Sequence, residues 1–332
     1  MNSDKFAVTH RRLLPMLAAV IMAAPLPTAA QGTAAAGDWP SRPIHLILPY
    51  APGATADAFA RAVGPRLAES LGQPVVIENR PGAGGAIGSA QVAKSAPDGY
   101  NLLVTFSTHY SLPFLQKAVP NDPVRDFTPI IAAATIQTVV AVHPSHPAKT
   151  MAEFLSQARA TPQGVLYGTG GLVLFGELLA QTAGIRMIHV PYKGGGPMLA
   201  DLLGGQITTG LTVLSTAMPH VKANRLRVLA VMSDKRARIA PDIPALTETL
   251  PDYSMADSWV GVLGPAGMPR PLVNRIHAEV KKTLDAAAVR DLLNGAGFEV
   301  TGNLSPEQLA ESVVKTVEVF RRVTANARIV PE

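Results

Sequence analysis

From Trp39 onward, short apolar runs alternate with longer amphipathic stretches, and this alternation constrains the fold more than any other feature of the sequence. The runs 44–49, 74–79 and 100–106 predict strands, and the segments 57–72 and 85–96 between them predict helices. Strands that are joined through helices run parallel, because each helix carries the chain back to the starting edge of the sheet. This region therefore predicts a parallel α/β sheet.

A second set of alternating elements follows and predicts a second α/β lobe. Its strands are predicted within 127–144 and at 164–168, 186–192, 207–214 and 226–233, and its helices at 150–159, 172–184 and 195–206. Capping boxes are predicted to open the helices at Thr150 and Ser305. The strand at 258–265 and the helices at 269–286 and 305–330 need a sheet to pack on. We therefore expect lobe 1 to comprise 37–140 plus 250–332, and lobe 2 to comprise 141–249.

Residues 1–36 have the composition of a secretory signal peptide. Lys5, Arg11 and Arg12 precede the 13-residue apolar stretch 13–25, and small residues follow, with A-x-A-like ends after Ala30 or Ala36. A membrane span needs about 20 apolar residues, so an uncleaved anchor is the less favoured alternative. The pattern predicts export across the cytoplasmic membrane.

Composition excludes several classes of function. The chain has no cysteine, so disulfides, thiolate nucleophiles and Cys-ligated metals are impossible. Residues 1–36 carry three basic residues and one acid, so their removal lowers the net charge from +5 to +5 − 2 = +3. No dense Lys/Arg run predicts nucleic-acid binding. The prolines of "HPSHP" disrupt helical spacing between His143 and His146, and neither a metal nor a cofactor is predicted.

The stretch "ILPYAPGATADAFARAV" (47–63) passes from a strand into a helix through glycine, a hydroxyl and an acid. A helix N-terminus carries about four unpaired N–H groups and roughly half a positive charge, which together attract an anion. Gly53 lets the main chain approach a ligand closely, and Thr55 adds a hydroxyl group. The alternative is that Thr55 or Asp57 only caps the helix.

Other strand ends carry polar or glycine-rich segments that would lie at the same edge as this loop. They are "TFSTHYS" (105–111), "YGTGG" (167–171) and "HVPYKGGGP" (189–197). The glycines of "ENRPGAGGAIGSA" (78–90) are spaced G-x-G-x-x-x-G, which does not match a dinucleotide fingerprint. We expect that segment to form a tight loop at the rim of the cleft.

Several ordered motifs together resemble the Bug family, the periplasmic solute receptors of tripartite tricarboxylate transporters. They include "WPSRPIHLILPYAPGATAD", "VVIENRPGAGGAIGSAQVAKSAPDGY", "HVPYKGGGPMLADLLGGQI" and "SWVGVLGPAGMPRPLVNRIHAEV", within residues 39–301. The resemblance implies a two-lobed periplasmic-binding-protein (Venus flytrap) fold, each lobe a mostly parallel sheet flanked by helices. It further implies a periplasmic monomer that catalyses no reaction, binds a small organic acid and delivers it to membrane permease subunits.

The resemblance also implies how the acid is held. Main-chain N–H groups of the loop from Tyr50 to Asp57 would bind one carboxylate, with help from hydroxyl groups and from the far lobe. The predicted ligand-binding residues are Tyr50, Ala51, Gly53, Ala54, Thr55, Asp57, Thr105, Ser107, Thr108, Thr169, Gly170 and Tyr192. Two departures from the family pattern stand out. The loop after 164–168 is shorter and lacks the usual second Ser and the His, and Ala54 replaces a common Gly.

Two other functions stay open at this point. A secreted α/β enzyme would use His109, Asp57 and Asp257 as acid/base groups across the cleft. A receptor could instead report to a membrane signalling system.

Overall fold

The computed structural model describes residues 39–256, 258–301, 304–327 and 329. The predicted signal peptide at 1–36 and the candidate acid Asp257 lie outside these residues. The strands are β1 (Ile44–Leu48), β2 (Val75–Asn79), β3 (Asn101–Phe106), β4 (Phe127–Ile136), β5 (Thr138–Val142), β6 (Val165–Thr169), β7 (Met187–Pro191), β8 (Thr209–Val213), β9 (Arg227–Val231), β10 (Trp259–Pro265) and β11 (Phe298–Val300).

The helices of the described residues alternate with these strands over most of the chain. They are α1 (Thr55–Leu71), α2 (Ala86–Ala93), α3 (Leu112–Leu115), α4 (Met151–Arg159), α5 (Val173–Ala183), α6 (Gly195–Leu203), α7 (Leu214–Lys222), α8 (Arg270–Asp285), α9 (Ala287–Gly295) and α10 (Pro306–Asn326). No helix of this described part is both long enough and apolar enough to cross a bilayer.

The strands form two sheets, as predicted. The first has the order β11-β4-β10-β3-β1-β2, and the second has the order β7-β6-β8-β5-β9. In the first sheet β1 to β4 share one direction, while β10 and β11 run against them. In the second sheet only β5 runs against the other four described strands. Most strands of each sheet therefore share one direction, and both sheets are mixed, because β5, β10 and β11 pair antiparallel with their neighbours.

Helices cover both faces of the first sheet because the side chains of each strand alternate between the faces. Leu46 and Leu48 pack with α1 and α8, whereas Ile47 packs with α10. The core on the α10 side continues into the second lobe, where it includes Tyr167. In line with this, Gln181 Nε2 on α5 donates to the Val323 carbonyl oxygen on α10, at 2.9 Å. The last helix thus packs against both lobes.

A single residue, Gln137, separates β4 in the first sheet from β5 in the second. Since β4 runs parallel to β1–β3, its last residue lies at their carboxyl edge. Since β5 runs opposite to β6–β9, its first residue lies at the carboxyl edge of those strands. The chain crosses back between Val231 and Trp259, and Ile136 N donates to Ser258 O at 2.8 Å beside the first crossing. The carboxyl edges of the two sheets therefore meet at Gln137.

Some elements differ from the prediction. The apolar run 127–144 is two strands of different sheets, β4 and β5, rather than one continuous β-rich segment. Helices α3, α7 and α9 and strand β11 were not predicted. Pro219 inside α7 obscures its helical pattern, and β11 has only three residues. The lobe boundaries at 140 and 250 stay a prediction, since the strands place the crossings only at Gln137 and between 231 and 259.

Both predicted capping motifs are present, one of them in altered form. Ser305 Oγ accepts from Gln308 N at 3.3 Å, and Ser305 N donates to Gln308 Oε1 at 2.9 Å, which completes a reciprocal capping box. Thr150 Oγ1 accepts from Glu153 N at 3.2 Å, but the Glu153 carboxylate accepts from Lys149 N instead of Thr150 N. The start of α10 is thus fixed by side chains.

We expect Ser305→Ala to lower the free energy of unfolding by about 1 kcal/mol, because the substitution leaves an N-terminal N–H of α10 without its acceptor. Urea denaturation followed by circular dichroism measures this loss. Ser312→Ala, inside the same helix, is the matched control, and it should be neutral or slightly stabilising since alanine favours helix interiors. Equal effects of the two substitutions would contradict the role of the cap.

Candidate functional site

The loop between β1 and α1 is built around a glycine turn. Gly53 has φ +78°, a conformation that side chains with a Cβ rarely adopt, and Ala54 N donates to Ala51 O at 3.2 Å. Ala51 to Gly53 are exposed, whereas Pro49 is buried. The turn sets the chain in the extended conformation at Ala54 from which α1 begins.

The first turn of α1 has no side-chain cap. Ala54 occupies the N-cap position, and neither Thr55 nor Asp57 accepts a capping bond there. Among the described residues, no acceptor pairs with the main-chain N–H groups of Thr55, Ala56 or Asp57. Neither residue caps the helix at Ala54, and Asp57 instead accepts from Gly53 N, one residue before the N-cap position. The N-terminus of a 17-residue helix keeps its donors available for a ligand.

The Asp57 carboxylate stabilises the turn by hydrogen bonds. Its side chain is buried, and Oδ2 accepts from Gly53 N at 3.0 Å and from Arg61 Nε at 2.8 Å. The Arg61 hydrogen bond, followed by that of Gly53, holds the pKa of Asp57 below its usual value against the opposing effect of burial. The charge of Asp57 is thus balanced by Arg61 and does not oppose an anion at the helix terminus. Sequence reasoning missed Arg61, although its i,i+4 spacing from Asp57 was a usable signal.

Hydroxyl groups from two strand ends meet beside this loop. Tyr50 Oη lies 3.0 Å from Thr105 Oγ1, and the Tyr50 ring packs on Phe106 with centroids 4.8 Å apart. Burial raises the pKa of the Tyr50 hydroxyl, while hydrogen bonds with Thr105 and Thr108 oppose the rise. The phenol is therefore a neutral hydrogen-bonding group at neutral pH. The structure brings the predicted residues Tyr50, Thr105 and Thr108 together.

Ser107 and His109 have structural surroundings. Ser107 Oγ accepts from Trp259 N at 3.4 Å, at the start of the returning strand β10. His109 is 3% exposed and packs edge-on against Phe127, and burial lowers its pKa to about 4. It is therefore neutral at neutral pH, with Nδ1 3.4 Å from Ser89 Oγ. No hydrogen bond or ion pair of the described residues joins His109 to Asp57, and Asp257, the third group of the enzyme alternative, lies outside those residues.

The predicted residues of the second lobe lie at the ends of β6 and β7. Thr169 is 1% exposed and its Oγ1 accepts from Leu172 N at 3.0 Å, which shapes the turn into α5. A methyl group added to Gly170 would lie 2.1 Å from the Gly194 carbonyl carbon, so the two loops touch through their main chains. Tyr192 Oη donates to Asp201 Oδ2 at 2.8 Å and anchors α6. These side chains are engaged within the lobe, and the glycines at 170, 171 and 194–196 present main chain at this edge beside the exposed Lys193.

The two groups of residues occupy the sheet edges that meet at Gln137. No hydrogen bond between the groups is present in the described part of the chain. Two cavities of the first lobe lie elsewhere. One of about 870 Å³ lies between residues 110–126 and α10, and one of about 340 Å³ lies behind α1 and β2. We place the candidate site at the facing edges and not in these cavities, because ligands of open α/β sheets bind beyond the carboxyl ends of the strands.

Two mostly parallel α/β sheets, joined by a double crossing with polar loops on the facing edges, define a two-lobed binding protein. The chain belongs to the tripartite tricarboxylate transporter family receptor (TctC) family, whose profile matches residues 59–325. The predicted resemblance to Bug receptors and the predicted two-lobed fold are both confirmed. The family is one of solute-binding receptors.

Individual relatives agree with this assignment. Protein BugT of Bordetella pertussis is 31% identical over 271 residues, which cover 79% of this chain and 82% of BugT. The structure of R. palustris Rpa4515 with adipate has a TM-score of 0.80 and 32% identity, and covers 89% of this chain and 100% of that one. The structure of MatC (Rpa3494) from Rhodopseudomonas palustris with bound malate has a TM-score of 0.76 and 28% identity, covering 86% and 100%.

We expect Asp57→Asn to lower the free energy of unfolding by about 1–3 kcal/mol at pH 7, because the charge-assisted bond to Arg61 is lost. The folded-state pKa of Asp57 is depressed, so its stabilising effect is present above the ordinary value of 3.8 and disappears as pH falls through the lower folded value. Urea denaturation at pH 7 and pH 3 measures both effects.

The control for this prediction is Asp252→Asn, at an exposed turn residue. It should change stability little at either pH. A destabilisation by Asp57→Asn that is as large at pH 3 as at pH 7 would contradict the role assigned to the ionised carboxylate.

Proposed function

We propose that this chain is an extracytoplasmic solute-binding protein that captures a small organic carboxylate between its lobes for a tripartite tricarboxylate-type transporter. The observation that carries the proposal is the uncapped N-terminus of α1. Its N–H groups at Thr55, Ala56 and Asp57 have no acceptor among the described residues and lie at the edge where the sheets meet. Family membership supports the same function.

Main-chain donors suffice to bind such a ligand. A hydrogen bond from N–H to a carboxylate contributes about 1.5–3 kcal/mol, and the helix dipole adds to it. Two or three such bonds, with the hydroxyls of Tyr50 and Thr105 nearby, offset the entropy of association and give a Kd on the order of micromolar. Arg61 is not needed as a ligand, because Asp57 already binds its guanidinium.

Aliphatic dicarboxylates are the ligand class we propose. The short loop after β6 leaves the far edge lined by main chain. An added methyl group at Gly171, Gly194, Gly195 or Gly196 would meet no atom within 4 Å, so this edge leaves space for the distal end of a chain. The relative Rpa4515 was solved with adipate, a six-carbon member of the class.

Location and partners follow from the same proposal. Residues 1–36 would direct the protein to the periplasm, where it acts as a monomer and passes its ligand to membrane permease subunits. We propose binding without catalysis, since the His109 imidazole is buried and packs against Phe127. We favour transport over signalling because the family consists of transporter receptors.

A thermal-shift series tests the function. At about 100 times its Kd, a ligand adds about 2.7 kcal/mol of stability, which corresponds to roughly 5 °C or more in Tm. We expect adipate, malate or another aliphatic dicarboxylate to produce a saturable shift, while adipamide, the neutral analogue of adipate, produces none. Absence of any shift across the acids, or an equal shift with adipamide, would overturn carboxylate capture.

Gly53→Val should raise the Kd for adipate by about tenfold or more, because a β-branched residue does not hold φ +78° and the turn before α1 changes. Isothermal titration calorimetry measures the affinity. Gly72→Val is a matched control, since Gly72 ends the same helix with φ +65° and, like Gly53, has open space around it. The control should lose similar stability and keep its affinity; an unchanged Kd for Gly53→Val removes this loop from the site.

A further inference from the structure

The glycine-rich segment that follows β2 has no part in the proposed ligand contacts. It comprises residues 79–88, and we call it the β2–α2 segment. The sequence predicts a rim loop here, but much of the segment packs against the β1–α1 loop: Gly85 and Gly88 are buried and adjoin Pro49. These contacts concern the loop that carries the candidate site and not the ligand itself.

Asn79 binds Tyr50, the second residue of the β1–α1 loop. It pairs with Leu48 in the parallel register of β1 and β2, so it stands beside the point where β1 ends. Asn79 Nδ2 donates to the Tyr50 carbonyl oxygen at 3.1 Å, and Arg80 N donates to the Leu48 carbonyl oxygen at 2.7 Å. Two consecutive residues of the segment therefore bind carbonyl groups on either side of Pro49.

Asn79 also stands near the far end of the loop. After Arg61 and Gly53, it is among the groups that hold the pKa of Asp57 low. Asp57 Oδ1 nevertheless has no hydrogen bond of standard geometry with any described residue, so we treat Asn79 as a neighbour of this oxygen and not as its partner. One end of the turn is thus held by Asn79 and the other by Asp57, which binds Gly53 N.

The glycines allow helix α2 to lie directly on the loop. A methyl group at Gly88 would lie 2.8 Å from the Arg80 carbonyl oxygen and 3.0 Å from Pro49 Cα, and one at Gly85 would lie 3.4 Å from Pro49 Cβ. The first two distances are shorter than side chains tolerate without a shift of the backbone. Only glycine at position 88 therefore permits this approach, which explains the glycine spacing without a phosphate ligand.

We propose that the β2–α2 segment positions the β1–α1 loop, with Asn79 and Gly88 as positioning residues for carboxylate binding. The Tyr50 carbonyl and a carboxylate are both acceptors, so a carbonyl turned toward the site repels the ligand. Asn79 keeps this carbonyl occupied, and the N–H groups that follow stay available. This inference rests on the proposed function for the identity of the ligand, but not for the conformation of the loop.

The sequence offers a direct probe of the Tyr50 carbonyl. Tyr50 is the only one of the six tyrosines that is followed by alanine. Labelling with carbonyl-¹³C tyrosine and ¹⁵N alanine therefore gives a single Tyr50–Ala51 peak in a carbonyl-to-amide correlation spectrum. We expect Asn79→Leu and Asn79→Asp to move this carbonyl resonance upfield, since neither side chain donates at pH 7.5. Both should also raise the Kd for adipate by about tenfold or more.

Asn101→Leu, at the first residue of β3, is the matched control and should leave both the peak and the Kd unchanged. Gly88→Ala is the second variant, used if Asn79→Leu does not fold. It should move the same peak, while Gly295→Ala, which has open space at the end of α9, should not.

The outcomes separate the two proposals. An unmoved peak in the folded Asn79 or Gly88 variant overturns the positioning role, whether or not adipate binds. A moved peak with wild-type affinity for adipate overturns it as well. A moved peak in a protein whose wild type binds no dicarboxylate supports positioning of the loop and rejects the proposed ligand class.

Discussion

The passage of the chain through Gln137 constrains the rest of the molecule. With one residue between β4 and β5, the direction of each strand within its own sheet decides which edges meet. β4 runs with its parallel neighbours and β5 runs against its own, so the two carboxyl edges come together. The loops that follow β1, β2, β3, β6 and β7, which carry the polar and glycine-rich motifs of the candidate site, then lie at the edges that meet. If β5 had the direction of β6–β9, the same loops would lie at distant edges.

At the candidate site, the negative charge of Asp57 is balanced by the positive charge of Arg61. Asp57 is a buried carboxylate in the first turn of α1, where an uncompensated negative charge would weaken anion binding. Its bonds to Arg61 and to the Gly53 amide use that charge to build the turn. The first turn of α1 therefore keeps N–H dipoles without an acceptor among the described residues, while the charges of Asp57 and Arg61 are paired with each other. Main-chain dipoles need little reorganisation on binding, because the fold already orients them.

Local sequence patterns predicted most helices and strands. They gave little information about contacts between residues that are far apart in sequence. The helices at α1 and α4 and the cap at Ser305 follow from residues close in sequence, and each is present. The split of 127–144 was not predicted, because both halves are equally apolar and Gln137 carries no turn signal. Arg61 had a detectable spacing, but the contact of Asn79 with the Tyr50 carbonyl depends on the register of β2 against β1. The burial of His109 was also not predicted, because the sequence indicated only that this residue lies in the segment after a strand.

The glycine-rich main chain at the far edge of the cleft affects how the ligand specificity of such a receptor can change in evolution. Its wall at Gly170, Gly171 and Gly194–Gly196 consists of peptide groups, and the nearby Thr169 and Tyr192 are held by internal bonds. A substitution of Gly171 or Gly194 would place a side chain in this space and strain a backbone with positive φ. In the function that we propose, insertions or deletions after β6 would therefore change the space open to the distal end of the ligand, and with it the set of acids that a lineage can take up.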